Sequence, residues 1–194
     1  VREEVRRGVR HAARVYGLSP AGMQESATTR VLRCWGKTGD GGTFHPALFH
    51  MLDVANVARV LLDKESPCRW RRALASALGC NEDTLREWVP YYVALHDIGK
   101  ISAPFQAQNS DQLARLQREG FSFDNWRKAD FIRHEVISRI YTQAADPPES
   151  LRYIREVIGG HHGAFSSGER TREAKIVLRR EHGSWEELRK TGDA

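Results

Sequence analysis

The chain has 194 residues, of which 40% are hydrophobic and 28% charged, and its 30 lysines and arginines against 25 acids give a net charge of +5. That length suits one domain with at most a short extension, and that apolar content exceeds what disordered chains carry. No apolar run approaches the roughly 18 to 20 residues of a membrane span, and no basic-then-apolar leader with a small-residue cleavage site opens the chain, so neither a membrane anchor nor secretion is expected. The modest positive charge tolerates a phosphate-bearing partner without demanding one. Cys34, Cys68 and Cys80 are widely spaced with no C-x-x-C, which argues against a zinc ribbon or redox pair and fits reduced thiols in a cytoplasmic protein.

In chain order, Val1, Val5, Val9, Ala12, Ala13 and Tyr16 share one helical face, and Gly17-Leu18-Ser19-Pro20 breaks that helix. Residues 1–22 therefore read as a helical extension and residues 23–194 as the domain proper. The run GKTGDGGTFHP at 36–46 reads as a glycine-rich loop. It is not a phosphate-binding P-loop, because the position five residues before Gly36 is Val31 rather than glycine and no buried strand precedes it. From Pro46 onward the periodicity is helical: Ala47 to Leu62, Pro67 to Leu78 ended by Gly79, and a helix capped by Asn81 that runs to about Ile98. A short segment around Pro104, a polar helix at 111–119, and helices from about Ala129 to Ala144, Glu149 to Ile158 and Arg170 to Arg180 follow. Ser184 with Glu187 makes a capping box for a last short helix. With no convincing strand, the class is all-α.

His50 lies in line with Val54, Val57 and Leu61, His96 with Leu85, Val89 and Tyr92, and His134 with Ile137 and Tyr141. His161 and His162 follow a helix whose inward face is Leu151, Ile154 and Ile158. Burying one imidazole is ordinary; burying five beside Asp97 without partners is costly. Divalent metal ions resolve that cost, since neutral imidazole and carboxylate ligate them directly. Five imidazoles favour Mn, Fe, Co or Ni, with Mg possible. Asp53, one turn from His50, either orients that histidine or is a surface acid. His11, His45 and His182 read as exposed. Trp35, Trp70, Trp88, Trp126 and Trp185 read as packing residues first and base-stacking residues second, and Arg69, Arg71 and Arg72 as a solvated helix start more than a nucleic-acid track.

His96-Asp97 with Lys100, in the string HDIGK, resembles the signature of the HD superfamily of metal-dependent phosphohydrolases. CWGK at 34–37, FHPALFHMLDVANVARVLL at 44–62, HDIGKISAPFQ at 96–106, FIRHE at 131–135 and GGHHG at 159–163 together resemble the HD nuclease domain of Cas3. The resemblance implies an HD-domain helical bundle around a buried His/Asp site holding two divalent ions. It implies His50, His96 and Asp97 as ligands of the first ion, and Asp97, His134, His161 and His162 as ligands of the second, with Asp97 bridging. Asp97 and Lys100 become the catalytic residues, Lys100 sitting near the scissile phosphate. The family adds a later aspartate to the first site; Asp193, in a TGDA tail read without an apolar helix, is not its equivalent, so the end of the domain and the helicase portion are expected to lie outside this chain. The implied activity is metal-dependent hydrolysis of single-stranded DNA in CRISPR antiviral defence, in the cytoplasm, with the Cas3 helicase and the Cascade complex as partners. The alternatives are an HD phosphohydrolase of nucleotides or cyclic dinucleotides, and a non-catalytic binding module with an incomplete metal site.

Overall fold

The structure, a computed structural model, describes residues 27–66, 70–124, 126–127, 131–142, 147–181 and 183–193. The helix read over 1–16 with His11, the start of the helix read from Ala129, and Cys68, Arg69 and His182 lie outside these residues. The described chain is mostly helical, in agreement with the class read from sequence.

A short helix α1 (Ala27–Val31) leads into one two-stranded antiparallel hairpin, β1 (Trp35–Thr38) and β2 (Phe44–Pro46). This corrects the loop expected at 36–46: the left-handed Gly41 and Gly42 (φ 64° and 76°) turn the chain back, and Lys37 pairs with His45 across the register. Gly36 is needed for a different reason. A Cβ there would stand 2.8 Å from Ala47 Cα, so only glycine lets β1 lie against the start of α2 (Ala47–Leu62).

Helix α2 buries Ala47, Met51, Ala55 and Leu62. The stripe expected through His50, Val54, Val57 and Leu61 is instead the border of that face, for Val57 is 58% exposed and Leu61 38%. The small side chains of Ala47 and Ala55 let the neighbouring elements approach closely, which rotates the buried seam one position past His50. Helix α3 (Trp70–Leu78) packs on α4 (Glu82–Ala94), where Asn81 caps by accepting the Thr84 N–H at 2.7 Å.

The expected continuation of α4 to Ile98 does not occur. Residues Leu95–Lys100 form a 3-10 turn. With three residues per turn, side chains at i and i+3 eclipse. Leu95, Ile98 and Ile101 form one column, at most 2% exposed, that enters the main core with Trp35, Met51, Phe105 and Trp185. Asp97 and Lys100 form another. Gly99 lies between and abuts α7 (His134–Tyr141), donating its N–H to Ser138 Oγ at 2.9 Å.

Helices α5 (Ala103–Gln106) and α6 (Ser110–Arg118) follow, capped by Ser102 and Asn109. The segment read as one helix from Glu149 splits into a 3-10 turn, Glu149–Leu151, and α8 (Ile154–Gly159). Helix α9 (Gly168–Arg180) is capped by Ser167. Helix α10 (Gly183–Asp193) starts one residue ahead of Ser184 and continues through the TGD segment read as a tail. It fastens onto the 3-10 turn: Arg189 donates to the Ile101 carbonyl at 3.0 Å and pairs with the Glu181 carboxylate at 2.7 Å, while Trp185 donates to the Ser122 carbonyl at 2.7 Å. Among the described residues no helix is long and apolar enough to cross a bilayer.

A Cβ on Gly99 would stand 2.1 Å from the His134 carbonyl oxygen and 2.8 Å from Ser138 N. Gly99→Ala is therefore expected to lower unfolding free energy by at least about 2 kcal/mol through overpacking. Gly168→Ala, at an open helical position, is expected to be neutral or stabilising. Chemical denaturation of the two variants checks both outcomes.

Candidate metal centre

The 3-10 turn contributes His96, Asp97 and Lys100; α2 brings His50; α7 opens on His134; and the GGHHG turn after α8, closed by the left-handed Gly163 (φ 83°), brings His161 and His162. All converge on the buried Asp97 carboxylate, whose side chain is 3% exposed. His50 Nε2 and His96 Nε2 each lie 3.2 Å from Asp97 Oδ2. His134 Nε2 lies 3.0 Å and His161 Nε2 3.5 Å from Oδ1. His162 Nε2 faces His134 Nε2 at 3.1 Å. The groups fall into two sets, His50-His96-Asp97 and His134-His161-His162, and the ligand atoms of each set lie within 4.8 Å of one another.

The hydrogen bonds of the other ring nitrogens decide what this arrangement can hold. His96 Nδ1 sits 2.6 Å from the Val93 carbonyl and His161 Nδ1 2.7 Å from the Ile158 carbonyl. A carbonyl only accepts, so both Nδ1 atoms donate, and a neutral ring then presents the lone pair of Nε2. Those lone pairs point at carboxylate oxygens. Asp97 Oδ1 and His161 Nε2 are buried and make no hydrogen bond, although they face each other. Lone pair against lone pair is repulsive unless a cation lies between; a second proton on the ring meets that requirement, and so does a divalent ion with nitrogen and oxygen ligands. The residues present therefore fit a metal. Positive charge at these rings acts in the same sense: burial pushes the Asp97 carboxyl upward, but with protons on their facing nitrogens His134, His161 and His96 donate to it and hold the group far below the usual carboxylate range. Burial lowers the His50 and His162 imidazoles. It also acts on His161, where Asp97 overcomes it and the net shift is upward.

Lys100 is not a surface residue. Its Nζ is 2.7 Å from Asp97 Oδ2 and donates to the Gly36 carbonyl at 3.2 Å, and the residue is buried. Gln106 holds the surrounding backbone. Its Oε1 accepts the Trp35 N–H at 3.0 Å, its Nε2 donates to the Trp35 and Lys100 carbonyls, both at 2.8 Å, and Trp35 Nε1 donates to the Gln106 carbonyl at 3.1 Å. The hairpin is thereby fixed to the turn that carries Asp97. Sequence reasoning missed this clamp, although Phe105-Gln106 stood within a quoted motif. It also missed Glu135, a buried carboxylate 3.7 Å behind His134 Nδ1 and paired with Arg133.

Asp53 does not orient His50; it bonds His45 Nε2 at 3.0 Å. Arg71 is tied to Glu82 and the Asp63 carbonyl, and Arg72 lies beside Glu82, so these two arginines form no free basic track. Trp35 and Trp185 are core residues. The side chain of Asp193 lies outside the described residues.

Residues 35–193 match the family model described as Cas3, HD domain. The chain is 34% identical over 170 residues, 85% of its length, to the CRISPR-associated endonuclease/helicase Cas3 of Thermus thermophilus, of which it covers 18%. It thus spans about a fifth of the curated relatives it matches. It resembles the crystal structure of the Thermus thermophilus Cas3 HD domain in the presence of Ni2+, with 28% identity and a TM-score of 0.58, over 87% of this chain and 63% of that one. A CRISPR RNA-guided surveillance complex in a pre-nicking state contains a chain matched with 26% identity and a TM-score of 0.56, over 84% of this chain and 20% of that one.

Opposed lone pairs predict that the fold gains stability from a divalent ion. Ni2+ or Mn2+ at a hundred times its Kd is expected to stabilise the chain by about 2.7 kcal/mol, read as a rise in thermal midpoint that EDTA reverses. Asp97→Ala is expected to remove the rise.

Proposed function

Because the chain belongs to the Cas3 HD-domain family, we propose that it is a metal-dependent nuclease domain that hydrolyses phosphodiester bonds of single-stranded DNA in CRISPR antiviral defence. It acts in the cytoplasm, with a Cas3-type helicase portion and an RNA-guided surveillance complex as partners. The observation that carries this reading is the buried Asp97, whose two oxygens are each approached by a separate set of imidazoles with an ammonium alongside.

In this reading His50, His96 and Asp97 would hold one divalent ion, and Asp97, His134, His161 and His162 would hold a second. Bound divalent ions supply Lewis acidity that lowers the pKa of water and neutralises charge on phosphoryl oxygens. Lys100 offers a point charge for a phosphate oxygen and is pre-oriented by Gly36 and the Gln106 clamp, so it needs little reorganisation when charge develops. The carbonyls of Val93 and Ile158 fix the tautomers of His96 and His161. The four-ligand set holds its ion more tightly than the three-ligand set.

The test is cleavage of a single-stranded oligonucleotide beside nucleoside triphosphates and cyclic dinucleotides, with elemental analysis of the same samples. Metal-dependent cleavage of the oligonucleotide alone is expected. Turnover of the small nucleotides instead would make the chain a nucleotide phosphohydrolase, and metal binding without turnover a binding module. Asp97→Ala is expected to abolish cleavage. Lys100→Ala is expected to keep its metal while slowing turnover by about 10²-fold. Calorimetric titration is expected to resolve two unequal metal sites, of which His162→Ala weakens the tighter.

A further inference from the structure

Two exposed phenylalanines border the two imidazole sets, one beside His50 and one beside the HHG turn. On the Oδ2 side, Phe49 precedes His50 in α2 and is 46% exposed. The His45 ring lies 6.4 Å from Phe49 and 6.3 Å from His50, so aromatic rings continue from the surface to the centre. On the Oδ1 side, Phe165 follows the HHG turn and is 73% exposed. It is nevertheless seated: a Cβ on Gly160 would stand 2.6 Å from Phe165 Cε1, so one edge of the ring rests on the backbone just before His161. A lone exposed phenylalanine is unremarkable on any protein surface. One beside each of the two imidazole sets is a different matter.

We propose that Phe49 and Phe165 are stacking platforms for the unpaired bases on either side of the phosphate held at the metal centre. This deepens the nuclease reading and rests on it for the phosphate's position. A phenyl ring has no hydrogen-bonding group, so it takes any base by its π-face and reads no sequence. Duplex bases are already stacked on each other and offer no free face, so two such rings select single strands. Charge on the Phe49 bank is mixed: exposed Lys37 is the cross-strand partner of His45, which also bonds the Asp53 carboxylate, so the lysine is the group on that bank able to meet a neighbouring phosphate. Of the tryptophans read from sequence as possible stacking residues, Trp35 and Trp185 do not supply this role, because they are buried in the core.

The test is binding, with Ni2+ present, at low ionic strength and read by stopped flow before any cleavage, of an oligothymidylate carrying one 2-aminopurine and of an abasic strand of equal length. Wild type is expected to prefer the strand with bases and to quench 2-aminopurine. Phe49→Ala and Phe165→Ala are each expected to weaken binding of that strand about tenfold and to leave the abasic strand unaffected. Phe→Trp at either position is expected to keep the affinity, and circular dichroism checks that each variant folds. A wild type that binds both strands equally, or alanine variants that match wild type or weaken both strands alike, would overturn the proposal. Because binding is read without hydrolysis, its failure is separable from that of the nuclease reading. A chain that stacks the strand and cuts nothing loses only the latter, and one that cuts with an unchanged KM in the double alanine variant loses only the former.

Discussion

A carboxylate withdrawn from water has to be answered by positive charge or donors from every direction, and the Asp97 carboxylate is withdrawn almost completely. One ammonium answers it directly, and four imidazole nitrogens do so through a proton or a metal ion held between ring and carboxylate. The neighbouring backbone is arranged to keep them there: the Val93 and Ile158 carbonyls set the rings, and Gly36 and Gln106 set the lysine and its strand.

The 3-10 geometry of Leu95–Lys100 lets a short segment serve the core and the site at once. An α-helix would rotate Lys100 away from Asp97 by about 60° over three residues, since each residue turns about 100° rather than 120°. The tighter winding stacks the two charges while Leu95, Ile98 and Ile101 stay in the core. Gly99 then supplies the flat face on which α7 lies, bringing His134 to the carboxylate.

Much of this was legible in the sequence wherever one element sufficed to define it. The Asn81 cap and the inward phase of His134 follow from local periodicity, and the six histidine and aspartate positions singled out from the sequence do meet in space. The line drawn through His50 failed because neighbouring alanines shift the seam of α2. The end of α4 failed because apolar spacing of three at 95, 98 and 101 looks like one edge of an ordinary helical stripe. The hairpin was hidden by strands of only four and three residues around a glycine run. Gln106 could not be read at all, since its partner Trp35 is 71 residues away. The burial of Lys100 was hidden for the same reason: the carbonyl that receives it belongs to Gly36, 64 residues earlier.

The centre draws on α2, the 3-10 turn, α7 and the turn after α8, so it is wholly a product of long-range closure. Such contacts form late, because the intervening loops lose their freedom before anything is gained. During synthesis, a nascent chain that has cleared the ribosome only as far as Thr142 has His50, His96, Asp97 and His134 but not the HHG turn. Lys100, three residues from Asp97 and 2.7 Å away in the finished fold, is the counter-ion already at hand in that interval. The half-built centre is thus charge-balanced from within its own turn, and its second set of imidazoles is complete only after the chain has passed His162.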